Sequence, residues 1–129
     1  WRDRILAVRA RVEKVRAIGD DHWIPYTDLL TLGGNTSTRG YERGYFRGQG
    51  ALLFSAEYRY PIWDTWNAFV FLDESNVFDH FADIDSDGFR SSYGGGISLR
   101  TEYGLLGKLQ IAHSAQKSAL IGFTFEQEF

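Results

Sequence analysis

Ser118-Ala119-Leu120-Ile121-Gly122-Phe123-Thr124-Phe125-Glu126-Gln127-Glu128-Phe129 closes the chain, and its parity decides the fold. Ile121, Phe123, Phe125 and Phe129 share one parity, while Thr124, Glu126 and Glu128 share the other. A strand sends successive side chains to opposite faces, so this stretch reads as a strand with one apolar face. Gln127 is the single interruption of the apolar row. Gly122 stands on the polar side, where a residue without a side chain lets a strand bend.

The same reading extends upstream. Residues 92–103 set Tyr93, Ile97, Leu99 and Tyr103 against Ser98, Arg100 and Glu102. Residues 108–114 set Leu109 and Ile111 against Lys108, Gln110 and Ser114, and residues 51–60 set Leu52, Phe54, Ala56, Tyr58 and Tyr60 against Ser55, Glu57 and Arg59. Residues 66–78 form a further strand, apolar on both faces except at Asp73, Glu74, Ser75 and Asn76. Residues 4–16 fit two periods, since Leu6, Val8, Ala10 and Val12 alternate while Ile5, Val8, Val12 and Val15 suit a helix. Their Ala, Arg, Glu and Lys content favours the helix. We read a strand there, because the neighbouring segments need a pairing partner.

About six strands result, joined alternately by tight turns and long loops. The turns fall at Pro61-Ile62-Trp63-Asp64-Thr65 and near Tyr103, and the loops at residues 19–49, 79–90 and 113–118. Short periplasmic turns and long outer loops are the asymmetry of outer-membrane barrels. Trp63, Trp66, Tyr60, Tyr103 and Phe129 are then expected at the periplasmic interface, where amphipathic rings are favoured.

Composition narrows the classes. The 129 residues include 16% aromatic residues, 14 Gly and 2 Pro, which suits strands and turns. No window approaches the roughly 18 apolar residues of a membrane-spanning helix. The absence of Cys removes disulfides and thiolate chemistry. A net charge of -3, with basic residues spread along the chain, argues against a nucleic-acid partner. The start, Trp1-Arg2-Asp3, has no signal-peptide pattern, so the chain is expected to be processed or a fragment.

Charge placement separates a membrane barrel from a soluble one. Arg9, Arg11, Glu13, Glu57, Arg59, Asp73, Arg100, Glu102, Lys108, Glu126 and Glu128 all fall opposite the apolar face. A small soluble barrel could not bury so many charges, whereas a wide hydrated lumen can pair and solvate them. A soluble barrel or sandwich with its charges outward is the competing reading, and aromatic clustering at the turn ends favours the membrane.

The loop after the first strand contains Leu32-Gly33-Gly34-Asn35-Thr36-Ser37-Thr38-Arg39-Gly40-Tyr41, and downstream come Glu57-Tyr58-Arg59-Tyr60-Pro61 and Phe71-Leu72-Asp73. In these stretches and in its terminal aromatic strand the chain resembles the BamA/TamA superfamily of bacterial surface antigens and two-partner-secretion barrels. The resemblance implies an antiparallel transmembrane β-barrel of the outer membrane. An extracellular loop folds into its lumen, with Gly33, Gly34, Arg39, Gly40 and Tyr41 as its tip. It also implies that Arg39 meets Glu57 and Asp73, and that Gly122, Phe123, Phe125 and Phe129 belong to a C-terminal assembly signal. Ser75 stands where many relatives have Gly, and Arg43-Gly44-Tyr45 repeats the tip pattern. Arg39 is preferred because the glycine pair lies at the right distance. A guanidinium can bridge two carboxylates with its fork of donors, which Lys cannot copy.

Other signals carry less. Asp83-Ile84-Asp85-Ser86-Asp87-Gly88 mimics the start of a calcium loop, but Gly94 stands where the bidentate Glu belongs. His22, His80 and His113 lack metal-ligand spacing, and Gly94-Gly95-Gly96 marks close packing of the loop or a bent strand rather than a phosphate cradle. No enzyme, metal or cofactor is indicated. The expectation is the C-terminal strands of a larger barrel, of about 16 strands by the resemblance, that inserts or secretes polypeptides. Its partners would be the lipid bilayer, unfolded outer-membrane or secreted polypeptides, and possible periplasmic substrate-binding domains and lipoproteins. A passive porin-like channel or surface anchor is the rival function.

Overall fold

Alternation along the sequence becomes an antiparallel sheet in the computed structural model, which describes residues 4–17, 23–35, 37–101 and 105–127. Glu102, Tyr103, Glu128 and Phe129, assigned above to strand faces and to the terminal signal, lie outside the described residues, as does part of the 19–49 loop. The strands are β1 (Ile5–Lys14), β2 (Leu30–Leu32), β3 (Phe46–Gly48), β4 (Gly50–Pro61), β5 (Trp66–Phe78), β6 (Arg90–Arg100), β7 (Leu105–Ser114) and β8 (Leu120–Gln127). Six of them form one sheet in the order β1-β4-β5-β6-β7-β8, every neighbouring pair antiparallel. Among the described residues, β1 and β8 each pair on one side only.

Register carries parity from strand to strand. Ser55 stands opposite Asp73, Asp73 opposite Ser92, and Ser92 opposite Ser114. One row nearer the tight turns, Ala7 faces Glu57, Glu57 faces Phe71, Phe71 faces Gly94, and Gly94 faces Ala112. Both rows point to the inner face. The outer face carries Val8, Val70, Ile111, Ile121, Phe123 and Phe125, all exposed.

The helical period of the first segment loses to this ladder. All ten residues of β1 pair with β4, and a strand flanked by a partner gains backbone bonds that local helix propensity cannot match. A second difference is the short hairpin of β2 and β3, with Leu30 opposite Gly48 and Leu32 opposite Phe46, inside the 19–49 loop. Three-residue strands are too short to display alternation in the sequence.

The tight turn after β4 closes with the Ile62 amide donating to the Trp66 carbonyl at 2.8 Å. Tyr60, Trp63 and Trp66 are exposed around it. At the opposite end the loop between β1 and β4 turns back over the inner face. The core is therefore what lies between loop and wall: Tyr41 from the loop, and Leu53, Phe69, Phe71 and Ala112 from the sheet, are all buried.

Candidate functional site

Loop and wall meet where glycine lets the backbone turn. Gly33 has φ +113°, and a Cβ there would stand 2.2 Å from the Glu42 carbonyl oxygen, so only glycine closes this neck. The Gly34 amide donates to the Tyr41 carbonyl at 3.0 Å, and the Ser37 hydroxyl both donates to the Gly33 carbonyl and accepts from its amide at 2.9 Å. These bonds draw residues 33–41 into a closed turn with Arg39 at its end. Gly40, at φ +90°, lies flat on the wall; its missing Cβ would be 3.3 Å from the Cβ atoms of Ser92, Ala112 and Ser114.

Arg39 reaches both acids. Its Nε and Nη2 donate to the two oxygens of Asp73, each at 2.7 Å, and its backbone amide donates to Asp73 Oδ2 at 3.1 Å. Nη1 donates to Glu57 Oε2 at 2.5 Å, and Nη2 also donates to the Ser55 hydroxyl at 3.1 Å. Ser55 in turn donates to Asp73 Oδ1 at 2.6 Å. Arg39 is 6% exposed and Asp73 0%, so the pair is removed from solvent and each remaining lone pair needs a donor. Burial alone would lower the guanidinium's proton affinity; the hydrogen bonds and charges of Asp73 and Glu57 outweigh it and hold Arg39 above its ordinary range.

Under the guanidinium lies the Phe71 ring, 3.6 Å from Cζ to centroid, a cation–π contact that fixes the plane of the fork. That ring needs space on the next strand. A Cβ at Gly94 would stand 2.8 Å from Phe71 Cζ, and one at Gly96 would stand 2.9 Å from Phe69 Cζ. Gly94 and Gly96 thus leave room for these two rings and for the β7 backbone, whose Ile111 and Leu109 carbonyl oxygens would each stand 2.1 Å from the added Cβ. Glu57 is shared: Arg59 Nε donates to its other oxygen at 2.5 Å and Lys108 Nζ at 3.3 Å.

The rest of the tip rests on β6 and β7. The Ser114 hydroxyl donates to the Gly40 carbonyl at 2.6 Å, and the Tyr41 hydroxyl to the Ser91 carbonyl at 3.4 Å. Tyr41 packs against Tyr45 and Phe46, with centroids 5.5 and 4.8 Å away. Arg43, in the second Arg-Gly-Tyr, is exposed. Gly33, Gly34, Arg39, Gly40 and Tyr41 are therefore brought together with Glu57 and Asp73, while Phe123 and Phe125 stand on the far, outer face and Phe129 lies outside the described residues. Sequence reasoning missed Ser55, Ser114 and the stacking role of Phe71. The signal available for Phe71 was the glycine run, whose empty positions imply a large neighbour across the ladder.

A bidentate ion pair on a stacked ring does no bond chemistry; it fastens one segment to another. Among the described residues no cluster of His, Asp and Glu could hold a metal ion. No helix among them is long and apolar enough to cross a membrane. An antiparallel wall, apolar outside and charged inside, with a loop folded onto its inner face, is the wall of a transmembrane β-barrel. The Omp85 superfamily domain matches residues 1–119, and the chain belongs to that superfamily. Its members are β-barrels of the bacterial outer membrane that insert or secrete polypeptides, acting with unfolded substrates and with periplasmic and lipoprotein partners; they are transport and assembly barrels rather than enzymes. No match was found among curated proteins.

Proposed function

We propose that residues 1–129 are the C-terminal portion of a barrel that inserts or secretes polypeptides, with residues 19–49 as its in-folded extracellular loop and Arg39 locking that loop to Glu57 and Asp73. The observation that carries this reading is the two-point grip of Arg39 on Asp73, 2.7 Å at both oxygens, in a site the loop itself buries. A loop held only by solvated contacts would be free in the lumen, where it would compete with a passing chain. Held on the wall, it leaves the path defined and supports the strands beneath it. Unfolded outer-membrane or secreted polypeptides are the substrates, and periplasmic substrate-binding domains and lipoproteins are the expected helpers.

Arg39→Ala tests the reading in an export or complementation assay. The variant should reach normal levels with its strands folded, since no ladder bond involves Arg39, yet lose most of its activity. Full activity at normal protein levels would remove the lock from the mechanism.

A further inference from the structure

The loop also touches the wall away from Arg39. Asn35, two residues from the Gly33 neck, extends toward β8, and its Nδ2 donates to the Phe123 carbonyl at 3.3 Å. Its own carbonyl accepts from Gln110 Nε2 of β7 at 3.5 Å. The amide fits because residue 122 is glycine. A Cβ at that position would stand 2.4 Å from Asn35 Oδ1 and 3.0 Å from Gln110 Nε2. Gly122 is buried, while its neighbours Ile121 and Phe123 are exposed on the outer face. A glycine whose missing side chain is replaced by a polar group from a distant loop forms a notch, which is a different use from bending the strand.

A second contact lies where β7 turns into β8. Glu42 accepts from Lys117 Nζ at 2.5 Å and gives its backbone amide to Gln116 Oε1 at 3.3 Å, both on the connection between β7 and β8. The loop thus holds β4 and β5 through Arg39, and the β7–β8 hairpin through Asn35 and Glu42.

We infer that Asn35 is a positioning residue which, seated in the Gly122 notch, ties the in-folded loop to β8, so that β8 opens locally only when the loop releases it. This deepens the proposed function, on which it rests, by naming the element that the loop regulates. Displacement of the loop would loosen β8.

Hydrogen exchange of the full chain folded in a lipid bilayer tests the tie without any transport assay. Asn35→Ala should speed exchange over residues 120–124 by about fivefold, the loss of one neutral hydrogen bond, while β4 and β5 keep wild-type rates. Asn35→Asp, of the same size but without the donor, should match Asn35→Ala. Gly122→Ala should evict the amide and give at least the same acceleration, and Gly122→Ala combined with Asn35→Ala should exchange no faster than Gly122→Ala alone. Unchanged exchange in β8 for the two Asn35 variants would overturn the inference, as would acceleration spread evenly over all strands or additive effects in the double variant. Should Gly122→Ala fail to fold, the two Asn35 variants decide alone. Failure of the lock itself is read separately, from the activity of Arg39→Ala.

Discussion

At the residue scale, Arg39 matters for its shape as well as its charge. Four of the five donors in its planar fork serve two oxygens of Asp73, one of Glu57 and the Ser55 hydroxyl, and the plane lies on Phe71. An ammonium offers none of that geometry. Arg39→Lys should therefore resemble Arg39→Ala, weakening loop docking by about 2–4 kcal/mol because Asp73 is left buried with an incomplete partner. Chymotrypsin cleavage at Tyr41, buried in the docked loop, measures it: both variants should be cut readily, and protection in Arg39→Lys would show that charge alone suffices. Parity of the strands was enough to set Glu57 and Asp73 on one face in the sequence. Ser55 was not legible, because its place opposite Asp73 depends on the register fixed by the turn at Ile62–Thr65, and a register is a property of two strands.

At the element scale, β5 and β6 work as a pair: rings on one, glycines on the other. Gly94→Ala would push a Cβ to 2.1 Å from the Ile111 carbonyl oxygen and 2.8 Å from Phe71, in a place where backbone cannot yield. It should cost about 1–3 kcal/mol and disturb the plate under Arg39. Gly107→Ala, whose Cβ would meet the Phe125 ring at an ordinary 3.6 Å, should be close to neutral. Thermal unfolding followed by gel mobility separates them, and equal losses would dismiss the packing explanation. The hairpin contact has its own signature in pH. The hydrogen bond and charge of Lys117 hold the Glu42 carboxyl below its ordinary value of 4.5, so the tie is complete above that pH and is lost as pH falls through the depressed value. Protease access to residues 115–119 should rise on acidification below 4.5, and Glu42→Gln should show the open behaviour already at neutral pH. Identical pH profiles for the two proteins would refute this. Long strands such as β4 and β5 were visible from their pattern, whereas the β2–β3 hairpin, three residues a side, exists because the loop it closes is folded on the wall.

At the scale of the whole molecule, a thin sheet gains a core by taking in its own loop. The wall alone would present Phe69, Phe71 and Ala112 to the lumen; with the loop docked those residues are buried, the Arg39 guanidinium lies over Phe71 and Gly40 lies against Ala112, and the buried charges are paired. Outside, exposed aliphatic and aromatic side chains suit contact with lipid. That division of faces could be read from the sequence because the period of a strand is two. The docking of the loop came from a resemblance, since a segment without periodicity carries no physical signal of where it folds. Arg39 holds the loop in place, and the amides of residues 39–41 report on that grip directly. Hydrogen exchange should find them protected in the membrane-embedded protein and protected far less in Arg39→Ala, with β4 and β5 unchanged; equal protection in both proteins would contradict the account.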